Sequence, residues 1–561
     1  MQNFQTSALV QPSKLRAGFW ILGTLLAVLQ AWSYRHFVTS DAVSYLDMSD
    51  AVIPGGDWHR IINGVWSPLY PLLLGIARRI VRPSVSHEIA AAHMFNVVVF
   101  LFAFLCFEFL LASVSRQGDV PSSKEQPAPL PRWAYLSLAY TLFIWSSITQ
   151  ISLQSLRPDM LMSGFVYLAV GMLYRMRGRP ANWGMYLVLG FVLGIGYLAK
   201  APMLPLGILF VLASLLLVQG WRRAVPMAAS ATLLLFLIGS LYFVPLSRQR
   251  GHFTLGESSS FNYLVHINQA GPGWYLQDVG TGSGKFQRSP RKIWDVPPTF
   301  EFCCEAPGTH PLRFDPSYWA QGARPRFRLR DQLSRVASSL YFYNDILFST
   351  GGLITGFLAL CFVTGSSRLV ARDVLEHWPL WVSGLLGLGM YALIHAENRY
   401  VGVFFLLFWV GLFFGLRAHE QRFQGLLSGV MLGIVLTILI PVGAVLGNNL
   451  VHPSRDQGSS DASVAMALRG LGIHPGDPVA RISTGGDLGW ARLARVSVIA
   501  EVDWQVGANS FWTAGPETQG QVLQALAKTG AKVVVAHSWG SLAPPGWQRL
   551  GGTQYWVYRL H

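Results

Sequence analysis

The chain has 561 residues, of which 52% are hydrophobic and only 13% charged, against about 25% charged in an average soluble domain; an ordinary water-soluble protein is excluded. Its formal net charge is +15, but the basic residues form short clusters between apolar runs, as in YRMRGRP (174–180) and GWRRAV (220–225), a pattern of membrane orientation rather than of nucleic-acid binding. Four cysteines, with Cys106 and Cys361 in apolar runs and Cys303 and Cys304 adjacent, make no disulfide framework in a chain this long.

The N-terminal stretch lacks a small-residue cleavage site suited to a short apolar region, so it reads as a retained first span with Lys14 and Arg16 on the cytoplasmic side. The first external loop, 35–88, opens on SDAVSYLDMSDA. A helix there puts Asp41, Tyr45, Met48 and Val52 on one face, with Asp47 and Asp50 pointing roughly the other way. On spacing alone Asp41 reads as a helix cap, and Asp47 and Asp50 as solvated charges. Further along the loop, PLYPLLLGIA (68–77) is too short to cross a bilayer and is expected to be interfacial or re-entrant.

Apolar runs near 17–34, 89–114, 133–153, 160–174, 183–199, 202–219, 225–245, 346–365, 378–396, 400–417 and 425–447 predict about eleven transmembrane helices. Parity agrees with the positive-inside rule if 68–77 does not span. The loops with Arg116, Lys124 and Arg132, with Arg175, Arg177 and Arg179, with Arg222 and Arg223, with Arg368 and Arg372, and with Arg417 and Arg422 then all face the cytoplasm. The polar clusters SDAVSYLD (40–47), LRPD (156–159), YLAKAP (197–202) and HAENRY (395–400) then converge on the opposite, extracytoplasmic face.

The large loop 246–340, rich in Gly, Trp, Tyr and Phe, falls on that face too and is too long for a passive connector, so a lid or wall is expected. From about 451 the pattern changes to a helix (460–472), strands (478–483 and 496–502), a helix (515–529) and strands (531–537 and 553–560). The expected architecture is therefore a polytopic α-helical membrane body, 1–450, followed by a small extracytoplasmic α/β domain, 451–561.

Lys200 lies at the turn of a tight apolar hairpin, where an ionisable residue suggests function, although its head could snorkel to the lipid headgroups. Arg399 stands at an external helix end, where positive charge is disfavoured and a local pair with Glu397 is the plain alternative. Asp159 follows a proline at a helix start, so capping accounts for it.

Taken in order, SDAVSYLDMSDA, WSPLYPLLLG, LRPDMLMSGFVYLA, GIGYLAKAPMLPLG and ENRYVGVFFLLFW resemble the GT-C superfamily of membrane glycosyltransferases. Within it, the chain is similar to the bacterial branch related to protein mannosyltransferases and lipid A aminoarabinose transferases, over roughly residues 15–450. The resemblance implies that Asp41, matching the acidic residue of the first external loop, is the base or positions the acceptor. Ala42 stands where many members carry a second acid, which speaks against a two-carboxylate or metal-binding site. Lys200 in AKAP matches the lysine of a T-K-G-P-like hairpin, and Arg399 matches the basic residue of an E-R-Y-like motif.

The function implied is an inverting transfer of a sugar from a polyprenyl-phosphate donor to a hydroxyl of an extracytoplasmic glycan, lipid or protein. Asp41 would act as the base, and Lys200 and Arg399 would hold the leaving phosphate. Tyr45, Asp159, Glu397 and Tyr400 are expected to line the site. No cofactor is expected, and no divalent metal is supported. The setting implied is a bacterial inner membrane, with the N-terminus cytoplasmic. A transporter fits poorly, because ionisable residues are scarce inside the predicted spans. Two alternatives stay open: a non-catalytic lipid-phosphate scaffold, and a lipid-linked polysaccharide ligase or polymerase using loop histidines such as His252, His266 and His310.

Overall fold

The computed structural model describes residues 11–115, 128–129, 131–270, 284, 286–302, 308–364, 374–418, 424–451, 455–483, 485, 487–503, 507–537 and 545–560. Cys303 and Cys304 lie outside the described residues. Most of the chain is helical. Each of the eleven apolar runs falls on helix: Pro12–Ser33, Glu88–Ser115, Arg132–Ile144 continued by a wider π-turn segment Trp145–Ile151, Asp159–Met176, Trp183–Ala199, Met203–Leu217, Trp221–Arg250, the pair Leu329–Ser349 and Gly351–Thr364, Trp378–Ala392, Asn398–Phe414 and Gln424–Val451.

Among the described residues four helices are long and apolar enough to cross a bilayer by themselves, and a fifth crossing arises if the pair bent by 69° near residue 350 is one span. The remaining apolar helices are shorter, near the lower limit for a crossing. Large apolar side chains such as Ile21, Leu105, Leu216, Leu233, Leu241 and Ile440 point outward, an arrangement unstable in water and natural in lipid. This is the fold of a multi-pass membrane protein. The 68–77 run is part of Leu69–Val81, a helix of 13 residues that is too short to span.

Local sequence sets the helix ends where polar residues gather. The first-loop helix Ser40–Ser49 is capped by Thr39, whose hydroxyl accepts from the Ala42 amide at 3.3 Å. Asp41 is therefore not the cap, because a side chain two residues earlier already serves that amide. The AKAP turn forms because Lys200 is extended after Trp183–Ala199, and Pro202 opens Met203–Leu217. Pro158 occupies the N-cap of Asp159–Met176, leaving Asp159 as the first helical residue with its side chain free for a tertiary partner.

The segment before Asp159 is fixed by buried polar bonds. His93 can donate to the Phe37 carbonyl, 2.9 Å from its Nε2, Gln30 accepts from the Leu153 amide at 2.9 Å, and Asn96 donates to the Ser155 carbonyl at 3.0 Å. Unpaired, these groups would cost about 1–3 kcal/mol each, so Pro12–Ser33, Glu88–Ser115 and the segment leading into Asp159–Met176 are held together at one end of the body.

The last part of the chain folds around a seven-stranded sheet, in the order Arg291–Trp294, Thr299–Glu301, Ser497–Val502, Pro478–Ile482, Val533–His537, Tyr555–Arg559, Gln548–Arg549. The three strands from Ser497–Val502 through Val533–His537 are parallel and the others antiparallel. Four strands match the sequence reading. Two come from the large loop, which therefore supplies two strands of the same sheet. They are only four and three residues long, too short for alternation to reveal. The short helices Gly489–Ala494 and Gly507–Thr513 were not anticipated either.

Candidate functional site

Asp41, Tyr45, Asp159, Lys200, Glu397, Arg399 and Tyr400 come from four separate segments and meet at one end of the helical body. Arg399 is the hub. Its Nη1 lies 3.6 Å from the Asp41 carboxylate, its Nε donates to Glu397 at 2.5 Å, and its Nη2 donates to the Tyr400 hydroxyl at 2.8 Å. Lys200 pairs with Asp159, and its Nζ stands 3.9 Å from the centre of the Tyr400 ring. The two cations, 199 positions apart in sequence, thus meet at one tyrosine, whose face and hydroxyl are both suited to positive charge.

The helix Asn398–Phe414 that presents Arg399 is set close against the π-turn segment. A Cβ on Gly402 would come within 2.8 Å of the Gln150 Cβ, so only glycine permits this approach. Tyr391 stacks on Tyr400 with ring centroids 5.2 Å apart, which fixes the ring beneath Lys200. Tyr45, on the Asp41 face as helical phase predicts, is buried between Trp66 and Tyr70, each 5.3 Å away. Burial raises its hydroxyl pKa, reinforced by the Asp159 and Asp41 charges.

Electrostatics at the rim follow from the same geometry. Burial pushes the Lys200 ammonium down, with Asp159 opposing. For Glu397, burial would raise the carboxyl, but hydrogen bonding from His395 and the charge of Arg399 hold it well below the usual range. His395 Nε2 lies 2.8 Å from Glu397, and its ring stacks on His266 at 3.7 Å.

Two arginines near Asp41 had escaped the sequence reading. Arg157 Nη2 is 3.9 Å from its carboxylate. Arg313, in the short helix Pro311–Phe314, is pushed down by burial and supported by the Asp41 charge. Arg157 was legible in LRPD, directly before the proline that starts the Asp159 helix. Arg313 was not, because the large loop carries no pattern that points to a membrane helix.

Asp47 and Asp50 do point away from Asp41, but they are not solvated. Asp47 accepts from the Thr309 amide at 2.7 Å, the Thr309 hydroxyl at 2.8 Å and Arg492 at 2.6 Å. Asp50 accepts from Arg78 at 2.8 Å and from both Nη atoms of Arg492, at 2.6 and 2.9 Å. The physical reason for the error is sequence distance: Arg492 lies 445 residues after Asp47.

Of the loop histidines, His310 is buried, with Nε2 3.1 Å from Glu501. His252 is exposed and lines a cavity of about 320 Å³ with Arg250, Glu257, Gln287, Ser317 and Gln321. None of Asp41, Lys200 and Arg399 lines that cavity. Among the described residues no three His, Cys, Asp or Glu side chains are grouped to hold a metal ion. Asp159 and Glu397 are each engaged by a cation.

A helical membrane body with polar helix ends gathered around a first-loop acid, joined to a smaller α/β unit, is a fold that recurs among solved structures. The oligosaccharyltransferase of Archaeoglobus fulgidus, solved in complex with zinc and sulfate, shares it with a TM-score of 0.50 at 13% identity, over 92% of this chain and 68% of that one. ArnT from Cupriavidus metallidurans bound to undecaprenyl phosphate aligns over 96% of this chain and 97% of that one, at 13% identity and a TM-score of 0.43. No protein-family model matches the sequence, and no curated protein does.

Proposed function

We infer that the chain is an inverting glycosyltransferase that moves a sugar from a polyprenyl-phosphate donor to a hydroxyl of an extracytoplasmic glycan, lipid or protein. The observation that carries this reading is the Asp41–Arg399–Tyr400–Lys200 constellation: a partly exposed carboxylate beside two cations that share one tyrosine. The GT-C fold supports the general kind of reaction.

In the transfer, the acceptor oxygen attacks the anomeric carbon while the bond from that carbon to the phosphate oxygen breaks. The electron pair leaves with the polyprenyl phosphate. Lys200 and Arg399 stabilise the negative charge that develops there. The acceptor's proton goes to the Asp41 carboxylate. Arg399 also aims Asp41, and Glu397 and Asp159 keep the two cations from collapsing onto it. One displacement on one face inverts the anomeric centre, by analogy with single-step glycosidases. No step is assigned to a metal or other cofactor.

The topology that goes with this reading has eleven spans in a bacterial inner membrane, the N-terminus cytoplasmic, and the 246–340 loop and the 451–561 domain outside, so that Asp41 faces the acceptor compartment. In cells lacking the protein, unused lipid-linked sugar should accumulate by mass spectrometry. Wild type should clear it and Asp41→Asn should not. Clearance by Asp41→Asn at the wild-type rate would remove Asp41 as the base, and no accumulation in cells lacking the protein would favour a non-catalytic lipid-phosphate scaffold. The ligase or polymerase reading is less favoured, because His310 is engaged by Glu501 and His266 by the His395 ring.

A further inference from the structure

On the far side of the Asp41 helix lies a second, closed cluster of charge. Three carboxylates, Asp47, Asp50 and Glu88, meet three guanidiniums, Arg78, Arg492 and Arg495. Arg492 spends every donor group there: Nε on Glu88 at 3.2 Å, Nη1 on Asp47 and Asp50 at 2.6 Å each, and Nη2 on Asp50 at 2.9 Å and Glu88 at 2.7 Å. It is 2% exposed and belongs to Gly489–Ala494, a helix of the C-terminal α/β unit. Asp47 and Asp50 belong to the end of the first-loop helix, and Glu88 begins the second long helix of the body.

The approach is close as well as charged. A Cβ on Gly489 would meet Val38 at 2.7 Å, at the entry to the first-loop helix. Thr309 adds a second tie. It binds both Asp47 oxygens through its hydroxyl and amide, while its carbonyl accepts from the Val498 amide of the sheet at 2.8 Å. The first-loop helix is only 10 residues long, too short to hold its shape or position alone. Asp41 sits six residues from Asp47 along it, a rise of about 9 Å. Whatever fixes Asp47 and Asp50 fixes the direction in which Asp41 points.

We propose that Arg492 is a positioning residue: by gripping Asp47, Asp50 and Glu88 at once, it locks the Ser40–Ser49 helix so that Asp41 is aligned only while the C-terminal α/β unit is docked. The inference rests on the reading of Asp41 as the base. It gives the α/β unit a part in transfer without any contact with substrate. A fork of five N–H donors is needed to serve three acids together, so lysine cannot replace it fully.

The test uses the full-length protein in detergent, with hydrogen exchange followed by mass spectrometry and undecaprenyl phosphate as the binding probe. Arg492→Met should speed amide exchange in 40–49 about tenfold and keep probe binding within about threefold of wild type. Its cells should accumulate unused lipid-linked sugar as Asp41→Asn cells do. Arg492→Lys should restore part of the protection and part of the clearance. If Arg492→Met does not fold, Thr309→Val, which removes one hydroxyl and keeps the shape, should raise exchange in 40–49 by a smaller factor.

Wild-type exchange in 40–49 for both variants overturns the proposal. So does normal clearance by a folded Arg492→Met when Asp41→Asn fails to clear. If Asp41→Asn itself clears normally, the base assignment falls, and with it the catalytic part of the inference; the exchange data still decide whether Arg492 holds the helix.

Discussion

One short helix carries two charge clusters of opposite character. At its start, Asp41 is about a quarter exposed, and its partners Arg157 and Arg399 stand 3.9 and 3.6 Å away, beyond hydrogen-bond length. At its end, Asp47 and Asp50 are tied to Arg492 at 2.6 Å, and that guanidinium is almost wholly out of water. In the first cluster Asp41 is loosely paired and partly open, while Arg399 and Lys200 are held by Glu397 and Asp159, for which a ligand oxygen must compete. The second is balanced in charge, largely buried, and leaves no donor of Arg492 unused. Among buried charges, completeness marks structure and incompleteness marks chemistry.

The sharpest way to break this contrast is to remove charge at each end of the helix. Asp41→Asn keeps size and most hydrogen bonding but removes the proton acceptor, so turnover should fall by about 10² to 10⁴ with probe binding and thermal stability unchanged. Glu88→Gln should do the reverse. It leaves buried guanidiniums uncompensated and should cost about 3–5 kcal/mol of stability, read as a lower denaturation midpoint. If Glu88→Gln leaves stability untouched, the closed cluster is not a structural one.

Lys200→Met and Arg399→Met should each weaken undecaprenyl phosphate binding or turnover by an amount equivalent to about 2–5 kcal/mol. Isothermal titration with the lipid phosphate checks this, and unchanged affinity in both would separate the cations from the donor.

Acid gives a smaller effect. For Asp50, burial would raise the carboxyl, but Arg492, Arg78 and Arg495 hold it well below its usual value of 3.8. A depressed folded pKa gives stability that is present above the unfolded value and lost as pH falls through the folded one. Asp47 shifts the other way, raised by burial against the pull of Arg492, and so works against that loss. Stability against unfolding, measured from about pH 4 downward, should therefore weaken, and Asp50→Asn should flatten that acid limb. Least of all, Arg291→Ala breaks a pair with Glu301 whose arginine is 69% exposed. It should cost less than about 1 kcal/mol in the same melt.

Much of the open cluster was legible in the sequence, and almost none of the closed one. Lys200 and Arg399 stood out because charge is rare beside apolar runs; Asp41 reads as a cap on spacing alone and stands out only through the family resemblance, with helical phase separating it from Asp47 and Asp50. The helices themselves followed from run length. The Lys200–Asp159 pair was missed, since a carboxylate after Pro158 looked like a cap. The clamp was invisible because its partners are 404 to 445 residues apart, and no local rule joins Glu88 to Arg492 or Asp47 to Arg492. The two loop strands were hidden for the same reason: Thr299–Glu301 pairs with Ser497–Val502, and three residues carry no period of their own.

The central claim is that the open end of the helix, not the closed one, receives the lipid phosphate. A density map of the full-length protein with undecaprenyl phosphate bound tests it most directly. The account predicts the phosphate within hydrogen-bond reach of both Lys200 and Arg399, with the Asp41 carboxylate facing the space beside it and the Arg492 cluster unchanged. A phosphate seated against Arg78, Arg492 or Arg495, or in the Arg250 cavity with Lys200 and Arg399 still held by their carboxylates, would contradict it.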